Sequence, residues 1–247
     1  MIISHRHEFI YLKARKVAGT SVEVALAKHC GDADIVTPVA GFNPKWDEAE
    51  YDHPGRTQPG YRRHSPLATV RKRVGRILWH TYFKFAVVRN PWDLVVSQYH
   101  WATRNDPYEG AVRKSLGRFW TNPLRVGKNF RWLGRSLARS FVKMDVVTFE
   151  FFVKHLLHFY PPNDRFYFDR SGSVGLDFLM RYESLQKDYA SACSRIGIPA
   201  SQLLSLKTRS RSDGRHYATY YDDRTRELVG KVYHRHINHF GYRFEES

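Results

Sequence analysis

The sequence predicts an α/β protein with parallel strands, from two repeated patterns and one bulk property. Short apolar runs pass twice through a loop into a helical pattern within the first hundred residues, the spacing of strand–loop–helix units. The run "YFKFAVVRN" (Tyr82 to Asn90) alternates and then turns continuously apolar, as a strand buried on both faces does. A chain of 247 residues that is 42% hydrophobic and 15% aromatic can enclose a substantial core, so a single domain over 1–247 is expected.

"HEFIYLKA" reads as the first core strand, with Phe9 to Lys13 as its apolar part. Thr20 to His29 follows as a helix, with Thr20 or Ser21 placed to cap its first turn and Gly31 just past its end. From about 32 to 62 the chain is rich in Pro, Gly and Asp and reads as irregular surface. "HSPLATVRKRVG" (His64 to Gly75) is a short helix with Pro66 near its start. After the Tyr82–Asn90 strand, Pro91 stands in the first turn of a helix whose body is "WDLVVSQYHWA". Asn105 to Asn129 is polar. Phe130 to Val142 places Arg131, Arg135 and Arg139 on one helical face and Phe130, Leu133, Leu137 and Phe141 on the other. "TFEFFVKHLLHFY" is a helix, "LDFLMRYESLQKDYASACSRIGI" a strand continuing as a helix to Gly197, and Tyr217 to Tyr242 another helical stretch.

Forty Lys and Arg against twenty-four Asp and Glu give a net charge of +16, a field that attracts polyanions such as nucleic acid, anionic lipid, acidic glycan or a multiply charged nucleotide. Arg62 to Arg76 carries six basic residues and no acid, and Arg113 to Lys143 carries nine and no acid. The wider basic segment, around 103–143, is expected to meet an anionic glycan or to make a peripheral contact with an anionic membrane. No run approaches eighteen apolar residues, and a core strand starting beside Met1 leaves no room for a signal peptide. Cys30 and Cys193 read as reduced thiols, so a cytoplasmic location is expected.

The stretch "KVAGTS" (Lys16 to Ser21) follows a strand and opens a helix, where free backbone N–H groups and the positive dipole end form an anion site. Ala18 and Gly19 permit close approach of backbone to a ligand, Thr20 and Ser21 add hydroxyls, and Lys16 adds a mobile charge. An ordinary helix start beside a solvated lysine would use the same residues. A nucleotide P-loop is excluded, because it carries its lysine on the helix side of the glycine. A second strand ends at Arg89, at the sheet edge where α/β folds bind ligands, and Ser97 lies two helical turns further on. An arginine fork there suits a terminal phosphate.

Together, "KVAGTS" and "RNPWDLVVSQY" resemble the two nucleotide-binding signatures of sulfotransferases that use 3′-phosphoadenosine 5′-phosphosulfate (PAPS), in particular the carbohydrate sulfotransferase branch. "HSPLATVRKRVG", "YFKFAVVRNPWD", "FLMRYESLQKDY" and "HYATYYDDRTRELVGKVYHRHINHFGYRF" extend the resemblance over nearly the whole chain. One departure is Arg15, where members commonly carry proline before the lysine. The resemblance implies a P-loop-NTPase-like three-layer fold, a central parallel sheet flanked by helices. It implies a bacterial enzyme with PAPS as donor, no metal, and a carbohydrate or lipid-linked glycan acceptor. Lys16 would lie near the bridging oxygen, with Val17, Ala18, Gly19, Thr20 and Ser21 around the 5′-phosphate and Arg89 and Ser97 on the 3′-phosphate. The acceptor hydroxyl or amine needs a general base, and His64 matches the position that related enzymes use, with His80 as competitor. Arg15, Arg181 and the segment Lys207 to His216 are weaker candidates. "HRHINH" (His234 to His239) lacks the Cys or acidic companions of a zinc site. A nucleic-acid-binding protein without catalysis would also explain the charge, but no helix-turn-helix, zinc-finger or RNP pattern is present, and nucleic acid is not the expected partner.

Overall fold

Four residues separate the first two strands, too few for a crossover, so they pair antiparallel. In the computed structural model, which describes residues 1–39, 55, 58–103, 147–206 and 214–245, these are β1 (Ile2–Ser4) and β2 (Phe9–Leu12). Next come α1 (Gly19–Ala27), β3 (Ile35–Val36), α2 (Leu67–Thr81), β4 (Phe83–Val88) and α3 (Pro91–Thr103). A short α4 (Phe149–Phe151) continues as a π turn and a 3₁₀ turn to Phe159. It is followed by α5 (Asp164–Tyr167), β5 (Phe178–Arg181), α6 (Leu185–Arg195), α7 (Asp223–Val232) and α8 (His234–Phe240).

The sheet order is β3-β1-β2-β4-β5, flanked by helices. β2, β4 and β5 run parallel, whereas β1 is antiparallel to both β2 and β3. The all-parallel sheet expected from the sequence is therefore corrected to a mixed one. The turn after β1 is too tight for any other pairing. Ile35–Val36, inside the segment read as irregular, forms the edge strand β3. The α2 helix also exceeds its expected end at Gly75. That glycine takes φ 81° and kinks the helix, which continues to Thr81. The predicted helix over 148–160 is instead broken into α, π and 3₁₀ turns. The amphipathic stretch Phe130 to Val142 and the rest of the basic segment beyond Thr103 lie outside the described residues.

The chain divides into two compact units. The first is formed by Met1–Asn90, Pro162–Arg209 and Arg235–Arg243, the second by Pro91–Pro161, Ser210–His234 and Phe244–Ser247. Within the first unit, Phe85 on β4 packs against Phe9 and Tyr11 of β2, with ring centroids 5.7 and 5.4 Å apart. In the second, α3 packs on α7, and α7 starts in a capping box in which Asp222 and Thr225 satisfy each other's backbone N–H. No helix among the described residues is long and apolar enough to cross a membrane.

The first unit buries Glu23 completely, and its carboxylate contacts both Nζ of Lys13 and the amine of Met1. Burial pushes the carboxyl up, but the Met1 amine and Lys13 pull it below its usual range. Burial also lowers the amine to about 5. Glu23→Gln leaves Lys13 buried without its counter-charge and is expected to lose about 3–5 kcal/mol of stability. Urea unfolding checks this, and a loss under about 1 kcal/mol would mean that the pair does not hold α1 to the sheet.

Candidate active site

β2 and β4 are parallel neighbours in register from Phe9↔Phe83 to Leu12↔Ala86, so both strands release their chains at the same sheet edge. The chain leaving β2 reaches α1 through Lys16 at φ 61° and Ala18 at φ 56°, with Val17 between them outside the left-handed region. Such alternation turns successive N–H groups toward one point and forms an anion-binding concavity. Helix α1 begins at Gly19, with Ala18 as N-cap and no side-chain cap. This corrects the expected cap at Thr20 or Ser21. The left-handed turn starts the helix one residue early and places both hydroxyls inside it. Ser21 Oγ is buried and accepts the Leu206 N–H at 3.4 Å. The Ser21 N–H donates to the Ala18 carbonyl at 3.1 Å, so Gly19 and Thr20 supply the first-turn N–H groups that no side chain caps.

Left-handed non-glycine residues are strained by about 1 kcal/mol or more each and persist only where neighbours hold them. Asn163, 2% exposed, accepts the Arg15 N–H at 3.3 Å and donates to the Arg15 carbonyl at 2.9 Å, mimicking a strand partner. Arg89 donates through Nη1 to the Lys16 carbonyl at 3.0 Å. Gly19 is required by close approach, since a Cβ there would lie 2.9 Å from Lys13 Cγ and 3.2 Å from the Tyr11 hydroxyl oxygen.

Arg89 directly follows β4 and is buried. Its guanidinium lies 3.9 Å from the ring centroid of Tyr182, the residue that follows β5. Glu183 accepts the Asn90 N–H at 2.7 Å and the Tyr242 hydroxyl at 3.2 Å. A third turn, after the third parallel strand, therefore braces the second. Stacking on Tyr182 covers one face of the guanidinium, while Nη1 is engaged by the Lys16 carbonyl.

His64 sits three residues before α2, half-buried, with Nδ1 2.9 Å from the Lys13 carbonyl. A ring nitrogen bonded to a carbonyl carries the proton, so in the neutral ring Nε2 carries the lone pair. Burial lowers its pKa to about 4; the Lys13 carbonyl opposes this, and the Lys13 and Arg15 cations reinforce it. Phe166 meets the ring edge-on at 6.3 Å. The His64 ring is therefore neutral at physiological pH.

The other sequence candidates have these places. Lys16, Val17, Ala18, Gly19, Thr20, Ser21, His64 and Arg89 are brought together in the first unit, and Ser97 is buried on α3 of the second. His80 is exposed in the last turn of α2. Arg181 stacks on Tyr242 and donates to the Phe240 carbonyl, a packing role. In "HRHINH", His236 is buried against Asp164 at 2.9 Å and His239 packs on Phe168. Residues 207–213 of the basic loop lie outside the described residues. Sequence reasoning missed Tyr182 and Asn163. Tyr182 was within reach, because it follows a recognised strand at the same edge, whereas nothing local marks Asn163, 148 residues from its partner.

The sulfotransferase family matches residues 1–243 of the chain. A protein of Archaeoglobus fulgidus described as uncharacterized is 27% identical over 143 residues, 58% of this chain and 91% of its own. No solved structure matches.

The depressed His64 pKa links to stability. In the unfolded chain the ring binds its proton below the ordinary 6.5, and in the folded chain only below about 4. The folded state thus loses up to about 3 kcal/mol as pH falls from 6.5 to 4 and keeps that stability above 6.5. Urea midpoints across this window are expected to fall less steeply for His64→Asn than for the parent, and parallel slopes would refute the burial of a neutral imidazole.

Proposed function

Because the chain belongs to the sulfotransferase family, we propose that it moves a sulfuryl group from PAPS to an acceptor hydroxyl or amine on a carbohydrate or glycolipid. The observation that carries this reading is the bond from Arg89 to the Lys16 carbonyl, which puts two anion-type turns at one sheet edge. The mixed sheet is read as a variant of the P-loop-like three-layer architecture that such enzymes use.

In this reading the uncapped start of α1 and the alternating backbone of Lys16 to Ala18 receive the 5′-phosphate group, with Val17, Gly19, Thr20 and Ser21 completing the cradle. Arg89, stacked on Tyr182, and Ser97 serve the 3′-phosphate. PAPS supplies an already activated sulfuryl group, so the protein's work is to position reactants and stabilise charge. The Lys16 ammonium stabilises the oxygen that becomes negative as the bond to sulfur breaks. His64 Nε2 takes the acceptor proton, and the Lys13 carbonyl keeps its tautomer correct. No metal is called for in this arrangement.

A thermal-shift panel tests the donor: adenosine 3′,5′-bisphosphate at a hundred times its Kd is expected to add about 2.7 kcal/mol, while ATP with magnesium and duplex DNA add little. A response to DNA alone would overturn the enzyme reading in favour of a polyanion-binding protein. Lys16→Ala is expected to slow transfer by about a hundredfold or more. Tyr182→Ala is expected to weaken bisphosphate binding by roughly tenfold through loss of the cation–π contact. His64→Ala should abolish transfer and leave that binding intact. Unchanged turnover would remove His64 from its role.

A further inference from the structure

Helix α2 has an outward face that the transfer reaction does not use. Over Leu67 to Thr81 it carries Arg71, Lys72, Arg73 and Arg76 and no acid. Arg73 packs over the ring of Tyr61. Arg71, Lys72 and Arg76 are exposed, and none makes an ion pair among the described residues. Other exposed cations of the protein do find acids, such as Lys231 with Glu227 and Arg226 with Asp223.

These three cations, with Arg170, line a cavity of about 920 Å³ along the helix, floored by Leu67 and Trp79. The acid on its rim, Asp169, is already engaged by the Ser171 hydroxyl at 2.6 Å and the Ser171 N–H at 2.9 Å. Just past the Gly75 kink, in the same turn as Arg76, Ile77 is 78% exposed, the most exposed large hydrophobic residue among those described. Four permanent cations around a concavity call for a phosphate-bearing or otherwise polyanionic partner. A soluble polyanion would satisfy the cations and leave Ile77 in water. An anionic bilayer satisfies both, because phosphate headgroups meet the arginines while the isoleucine enters the acyl boundary.

We propose that the α2 face is a peripheral membrane contact, in which the groove formed by Arg71, Lys72, Arg76 and Arg170 takes headgroups of anionic phospholipid and Ile77 dips into the bilayer boundary. The proposal does not depend on sulfuryl transfer. It places the lipid surface on the helix that begins three residues after His64, so an acceptor anchored in the membrane would approach from that end of the helix.

Co-sedimentation of the full chain with phosphatidylglycerol–phosphatidylcholine vesicles, against pure phosphatidylcholine, tests it at about 0.15 M salt. The parent is expected to sediment with the anionic vesicles only. The combined Arg71→Gln, Lys72→Gln and Arg76→Gln variant is expected to bind roughly a hundredfold more weakly, about fivefold for each charge removed. Ile77→Gln, which leaves every charge in place, is expected to lose roughly tenfold. Urea midpoints within experimental error of the parent in both variants show that they fold, whatever the nucleotide chemistry of the chain. Vesicle binding by the triple variant equal to the parent would overturn the proposal and assign binding to another basic segment. Binding indifferent to Ile77→Gln, together with tight binding of a soluble polyanion such as heparin through the same arginines, would assign the groove to that polymer instead.

Discussion

A hydrogen bond of 3.0 Å from Arg89 to the Lys16 carbonyl ties together two turns that are 73 residues apart in the chain. It can form only because β2 and β4 are adjacent and parallel, so that both turns leave the sheet on one side. The bond also fixes the carbonyl of a residue held in the left-handed region, which a lysine does not adopt unaided. Asn163 does the same one residue earlier, where it occupies both backbone groups of Arg15. The concavity of N–H groups at the start of α1 is thus built before any anion arrives, and binding need not supply the strain.

Gathering cations at one edge has an electrostatic consequence inside the protein. Lys13, directly beneath the loop, is desolvated and answered by Glu23, which α1 brings down from above. His64 is lowered chiefly by its burial, and the nearby Lys13 and Arg15 cations reinforce this, so its ring stays uncharged.

Arg89 is held from a second direction by Tyr182, and Asn90 by Glu183, both on the turn that follows β5. Three parallel strands thus deliver three turns to the edge, and the third supports the second. The mixed character of the sheet does not disturb this arrangement, because the antiparallel strands β1 and β3 lie on the far side of β2 from β4.

Much of this was legible in the sequence. The β2 and β4 runs, the helices after them and the two anion-type turns all rest on local patterns, because apolar periodicity and turn chemistry act over a few residues. Lys16, Gly19 and Arg89 stand out for the same reason, whereas His64 is marked only by the resemblance to related enzymes. The misreadings have equally local causes. Thr20 and Ser21 look like caps until Ala18 adopts a conformation that an alanine pattern does not announce, and a two-residue strand at Ile35–Val36 is too short to show a period.

What the sequence determined by itself was the inventory: strands, helices, a cationic balance and the chemistry available at each strand end. Only the tertiary structure decided that the sheet is mixed, that Arg89 reaches Lys16, that Tyr182 and Asn163 brace the loops, and that the Lys13 carbonyl sets the His64 tautomer. Each of those depends on strand order and on partners far apart in the chain, and strand order is chosen by the burial of the whole core rather than by any stretch of residues within it.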